Sequence, residues 1–181
     1  SNNVTLSPLG GTALYLGAVG QTATVAGNLT VTSATGSIFN TGPVNVTGDA
    51  FFQSGSGDIL MTNASNNFGT VKFAGKIVSI TEAGHLTLAT GSIATGAATF
   101  RTAGGNIDIV NRGGIIRLVS TGLFNASGAI TLPKLIQVTG TLTVNAPGTK
   151  DLSKLSYLED LGGKIPENSG TGTYLKPFDA P

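Results

Sequence analysis

Carboxylates, imidazoles and thiols carry most catalytic and metal chemistry, and this chain has few of them. Between residues 4 and 145 the acidic side chains are Asp49, Asp58, Glu82 and Asp108, with no local Asp-x-Asp pair and no acidic-basic cluster. Polysaccharide-cleaving β-helices use clustered carboxylates, with or without calcium, on one face. Coil stacking can gather distant positions, but nothing in the spacing announces such a cluster. His85 is the only histidine and stands between Gly84 and Leu86 at an expected turn. A metal site needs partners, so His85 reads as structural. Cysteine is absent, which rules out disulfides and thiolate zinc sites. Gly104-Gly105 and Gly113-Gly114 belong to no G-x-x-x-x-G-K motif and precede no helix, so they read as tight turns between strands. No catalytic residue, metal ligand or cofactor is expected.

Asparagine supplies the candidate modification sites. Asn3, Asn28, Asn45, Asn63 and Asn125 each begin an Asn-x-Ser/Thr sequon, the acceptor for glycosylation of a surface protein. In a chain this rich in Ser and Thr, such triplets also arise simply because Asn and Thr suit turns and ladders. Thr-x-Thr occurs at Thr22/Thr24, Thr30/Thr32 and Thr141/Thr143. Ordered threonine ranks can bind ice, but ranks must recur once per coil and these do not. Phe51-Phe52, Phe73, Phe100 and Phe124 read as core or stacked rings, and Tyr15, Tyr157 and Tyr174 as candidate exposed contacts.

The elements that position these residues are short. From residue 4 to 145 apolar residues fall at i and i+2, as in Leu29-Thr30-Val31, Val44-Asn45-Val46 and Leu142-Thr143-Val144. Gly, Asn, Ser or Asp separates nearly every pair of runs. No stretch before residue 150 keeps a helical period for three turns. Such a series admits an antiparallel β-sandwich or a solenoid of parallel strands. Internal similarity favours the solenoid. Leu14 and Leu16 align with Leu86 and Leu88 at an offset of 72, which suggests about three coils of roughly 20–25 residues. Asn, Thr and Val also suit ladders of like residues.

The segments GNLTVTSATGSI (27–38), GDILMTNASNNFGTVKFAGKIVSITEAGHLTLATGSIATG (57–96) and GGNIDIV (104–110) resemble the repeats of filamentous-haemagglutinin-like exoproteins. The resemblance covers residues 4–110 well and 111–145 more loosely. It implies a right-handed parallel β-helix, secretion through an outer-membrane partner and, in many family members, adhesion. It is a style of repeat and contains no active-site signature.

The remainder of the chain differs. Nine of its 19 charges lie in the last 32 residues, so the expected organisation is β-solenoid coils over 1–147 and a C-terminal cap and extended tail over 148–181. Leu152, Leu155, Leu158 and Leu161 recur at three-residue spacing, and Asp151 can cap a short helix ending at Gly162-Gly163. Residues 132–165 also resemble the Leu-rich coils of receptor L-type solenoids. Either way these leucines would shield the end of the stack.

Composition sets the remaining limits. Charged residues are 10% of the chain, against a usual ~25%, and 40% are hydrophobic, so this is not a disordered segment. A net charge of +1 gives no basic patch for nucleic acid. No apolar run reaches the ~20 residues needed to insert in a membrane. The sequence therefore reads as an all-β, right-handed parallel β-helix of six or seven coils from a secreted or cell-surface protein. Its expected function is a structural or adhesive fibre segment without catalysis, an adhesin stalk or biofilm-matrix protein. Its partners would be a host-cell or matrix surface, a glycan or neighbouring copies of itself. The alternatives are a self-assembling filament subunit, joined through strand edges and the C-terminal tail, and a polysaccharide-binding or polysaccharide-cleaving β-helix.

Overall fold

Strict apolar-polar alternation gives each short strand one face for a core and one for water. The computed structural model describes residues 2–8, 10–132 and 136–152, and the backbone of two further strands, Asn168–Ser169 and Tyr174–Leu175. Every strand pairing is parallel. The chain is a β-solenoid of about seven turns, and the antiparallel sandwich is excluded. No helix long and apolar enough to cross a membrane occurs among the described residues.

Two sheets run the length of the stack. The first passes through Val4–Leu6, Leu29–Ser33, the later parts of Val44–Ser54 and Asn67–Gly75, then Leu86–Ala89, Ile107–Val110, Ile130–Thr131, Lys150–Asp151 and Tyr174–Leu175. The second comprises Leu14–Leu16, Ile38–Asn40, Ile59–Met61, Val78–Glu82, Ala98–Thr102, Gly122–Asn125, Leu142–Asn145 and Asn168–Ser169. Paired positions lie 25 residues apart from Val4 to Leu29, and 21 apart from Leu29 to Ala50 and from Ala50 to Val71. This matches the expected coil length. The 72-residue similarity is not a structural repeat, because Leu14 lies in the second sheet and Leu86 in the first. Both sheets use the same apolar-x-apolar pattern, so a strand of one imitates a strand of the other.

The core is a continuous column of inward side chains. Phe52, Phe73, Phe100 and Phe124 are fully buried, as the sequence suggests. The rings of Phe73, Phe100 and Phe124 pack in succession, tilted by 38° and 42°, at centroid distances of 5.2 and 4.9 Å. Phe51 is the exception. The alternation that buries Phe52 turns Phe51 outward, where it lies half-buried beneath the Lys72 ammonium. The outward row continues from Thr5 through Thr30 and Phe51 to Lys72, so threonines do not recur once per coil.

A third wall closes the outline, and it changes place along the stack. In the first coils it is built by Ala23–Val25, the start of Val44–Ser54 and the start of Asn67–Gly75, and it follows the second sheet. In the later coils it is built by Ile93–Ala94, Ile116–Leu118 and Ile136–Val138, and it follows the first sheet. The strand Asn67–Gly75 belongs to both arrangements. Its start pairs with the earlier wall, Val71 with Leu88, and Ala74-Gly75 with Ile93-Ala94. Val71 and Leu88 are only 17 positions apart, four fewer than in the preceding step.

Strand pairing continues beyond residue 147, through Lys150–Asp151 and the backbones of Asn168–Ser169 and Tyr174–Leu175. Asp151, the expected helix cap, lies in the strand Lys150–Asp151, and Leu152 is buried; Leu155, Leu158, Leu161 and Tyr157 lie outside the described residues.

Candidate functional site

Where one wall ends and another begins, backbone groups lose the strand that would have paired with them, and buried N–H groups need substitutes. Two buried side chains provide them. The Phe68 N–H donates to Glu82 Oε1 at 3.0 Å, and the Phe73 N–H donates to Ser92 Oγ at 3.1 Å. Ser92 in turn donates to the Ala89 carbonyl at 2.8 Å, which fixes the new corner. Asn66 binds the older corner. Its Oδ1 accepts from the Val44 N–H and from Asn40 Nδ2, both at 2.9 Å, while its Nδ2 donates to the Met61 and Thr81 carbonyls.

Glu82 is 1% exposed and its Oε2 has no hydrogen-bond partner among the described residues. Burial pushes its carboxyl up from 4.5 to about 7, against the smaller opposing effect of the Phe68 N–H. The sequence lists Glu82 among scattered acids, but alternation with Val78 and Ile80 already directs it inward. Lys150 is a second buried group that its charge disguises. It pairs with Ile130, is fully buried, and its Nζ has no hydrogen-bond partner among the described residues.

Outside this junction lies a groove of about 250 Å³ lined by Asp49, Phe51, Thr70, Lys72, Ala89 and Arg112. Two turns shape it. Gly91, Gly113 and Gly114 adopt φ of 79°, 90° and 81°, a conformation open to glycine and strained for other residues, which agrees with the turn expected at Gly113-Gly114. Thr90 locks the turns together. Its Oγ1 accepts from the Arg112 N–H at 2.8 Å and lies 3.2 Å from the Gly113 carbonyl. Arg112 pairs with Asp49 at 3.6 Å, both about half exposed, and Lys72 Nζ lies 5.6 Å from the centre of the Phe51 ring. Sequence reasoning missed this grouping, because 23 residues separate Asp49 from Lys72 and 40 separate Lys72 from Arg112.

The sequon asparagines do not converge. Asn3 Oδ1 accepts from the Asn28 N–H, and Asn28 Oδ1 from the Asp49 N–H, each at 2.9 Å. Each stands immediately before a strand of the first sheet and binds the matching N–H one coil on. His85 Nδ1 and Asn106 Oδ1 repeat this device toward the N–H groups of Asn106 and Ala129, at 3.1 and 2.8 Å. His85 therefore has the structural role its isolation suggests. Asn45 lies within a strand with its Oδ1 buried and without a hydrogen-bond partner, Asn63 caps its own turn through the Ser65 N–H, and Asn125 pairs with Arg101 and Asn145. Tyr15 is 62% exposed and stacks on Phe39. Among the described residues, no three His, Cys, Asp or Glu side chains come together as a metal centre.

A family model described as repeats of unknown function (DUF5649) matches residues 1–73. The match ends within Asn67–Gly75, the strand at which the outline changes. No curated protein and no solved structure matches the chain.

Proposed function

We propose that this chain is a structural and adhesive segment of a secreted or cell-surface fibre, and that it performs no catalysis. The observation that carries the reading is the unbroken parallel stack: each coil leans on its neighbours through backbone ladders and one apolar column. In such a scaffold length grows by repetition, and each added coil contributes its own interface. The family description as repeats and the resemblance of the 27–38 and 57–96 segments to filamentous-haemagglutinin-like exoproteins support the same reading. An adhesin stalk needs reach and stiffness more than surface charge, and charged residues are only 10% of this chain.

Immunogold electron microscopy of producing cells, with antibody raised against this chain, tests the proposal. Label running along surface fibres is the expected result. Label confined to the cell interior, or found only on soluble particles, overturns it.

A further inference from the structure

We propose that the groove beside the change of outline binds one unit of an acidic saccharide through the carboxylate of its sugar. This goes beyond the fibre reading and fails separately from it, since binding in solution requires no fibre. A regular solenoid wall is nearly flat, because successive coils repeat one outline. Here the outline changes, and the turns at Thr90-Gly91 and Asn111–Gly114 bring Arg112 over the outward row of Phe51 and Lys72. The hollow of about 250 Å³ falls below the roughly 300–1,000 Å³ of pockets that enclose whole drug-sized ligands. It suits a single ring of a longer chain.

Its chemistry selects the ring. Lys72 and Arg112 provide two cations against one carboxylate, Asp49. Lys72 is held over Phe51, and Arg112 is held by Asp49 at 3.6 Å, a separation that leaves the guanidinium donors without a close hydrogen bond. Neither cationic head donates a hydrogen bond to another described residue, so both are positioned yet available. A guanidinium grips a carboxylate with two parallel donors, and an ammonium adds a point charge. Of the apolar lining Ala50 and Ala89 are buried, so the outward-facing Phe51 ring supplies the carbon surface for the C–H face of a sugar ring. Asp49 and Thr70 on the rim can meet ring hydroxyls. Asp49 also repels a run of closely spaced acids that bring no hydroxyl, which favours a saccharide over an acidic peptide.

Isothermal titration of the full chain with oligogalacturonate, its methyl ester and hexaglutamate tests this. Oligogalacturonate should bind about tenfold tighter than the ester, and Lys72→Ala or Arg112→Ala should each weaken it about tenfold, in line with one charged hydrogen bond. Arg112→Lys should restore part of the loss. The circular dichroism and melting temperature of each variant should match the parent, since both side chains are exposed or half-buried. Absence of oligogalacturonate binding, equal binding of the ester or hexaglutamate, or undiminished binding by the doubly substituted chain overturns the assignment.

Discussion

The early and late coils close the same kind of core in different ways. In the early coils the third wall stands between the second sheet and the next strand of the first, and it buries Val25, Val44, Val46 and Phe68. In the late coils it stands between the first sheet and the second, and it buries Ala94, Ile116, Leu118, Ile136 and Val138. The two long sheets hardly register the exchange. What moves the wall is a loss of four residues between Val71 and Leu88, followed by a new corner at Thr90–Ser92. The strands thus set the ladders and the corners set the outline. The two outlines meet at Phe73, whose ring packs against Phe100.

Phe73→Ala is the strongest way to break this arrangement. Removing a fully buried Phe costs about 3–5 kcal/mol. Because solenoid coils couple only to their neighbours, the loss should fall on the coupling itself. Urea unfolding of the variant should separate into two transitions, one for each set of coils. A single transition with an ordinary cavity cost would show that the two outlines form one cooperative unit.

Glu82 gives the next largest effect. Its carboxyl is raised from 4.5 to about 7 in the folded chain, so the folded state favours the neutral acid. The associated stability is complete below about pH 4.5 and is lost as pH rises through about 7, by about 3 kcal/mol in all. The urea midpoint should therefore fall between pH 5 and pH 8. Glu82→Gln keeps an acceptor for the Phe68 N–H and removes the titration, so its midpoint should stay nearly level. An equal fall in parent and variant would clear Glu82 of responsibility.

Much of this was readable before folding, through parity rather than residue type. Alternation locates the strands and, Phe51 apart, the buried Phe column; it also directs Glu82 inward after Val78 and Ile80, although by residue type Glu82 reads only as one of four scattered acids. Ser33 and Ser54 follow the same rule at their strand ends and pair with each other. Corners have no period, so Asn66 and Ser92 gave no signal of their roles. Similarity between the two sheets also misaligned Leu14 with Leu86. The groove was hidden for a different reason: Asp49, Lys72 and Arg112 become neighbours only through the register of stacked coils, which local spacing does not encode.

Lys150 tests the late coils as Glu82 tests the junction. It continues a ladder of Leu86, Ile107 and Ile130, and its buried head group has no hydrogen-bond partner among the described residues. Lys150→Met keeps most of the length and removes the polar head, and it should raise stability by about 1–3 kcal/mol. Chemical denaturation measures the change. A loss of stability instead would show that the ammonium holds this end together.

The smallest effect separates the two outlines most cleanly. Gly84 and Gly105 stand at one corner in successive coils, just before His85-Leu86 and Asn106-Ile107, and Leu86 pairs with Ile107. A methyl group on Gly105 would lie 2.6 Å from the Gly84 carbonyl oxygen and 2.8 Å from the His85 nitrogen. Both are backbone atoms and cannot rotate away, so Gly105→Ala should cost about 1–3 kcal/mol. A methyl group on Gly84 meets nothing within 4 Å, because the coil before it is the shortened one and places no matching turn against this corner. Gly84→Ala should therefore stay within about 0.5 kcal/mol of the parent. Thermal melts of the two variants make the comparison directly. Equal losses would mean that the early coils do carry a corner beneath Gly84, and the change of outline would have to lie elsewhere in the stack.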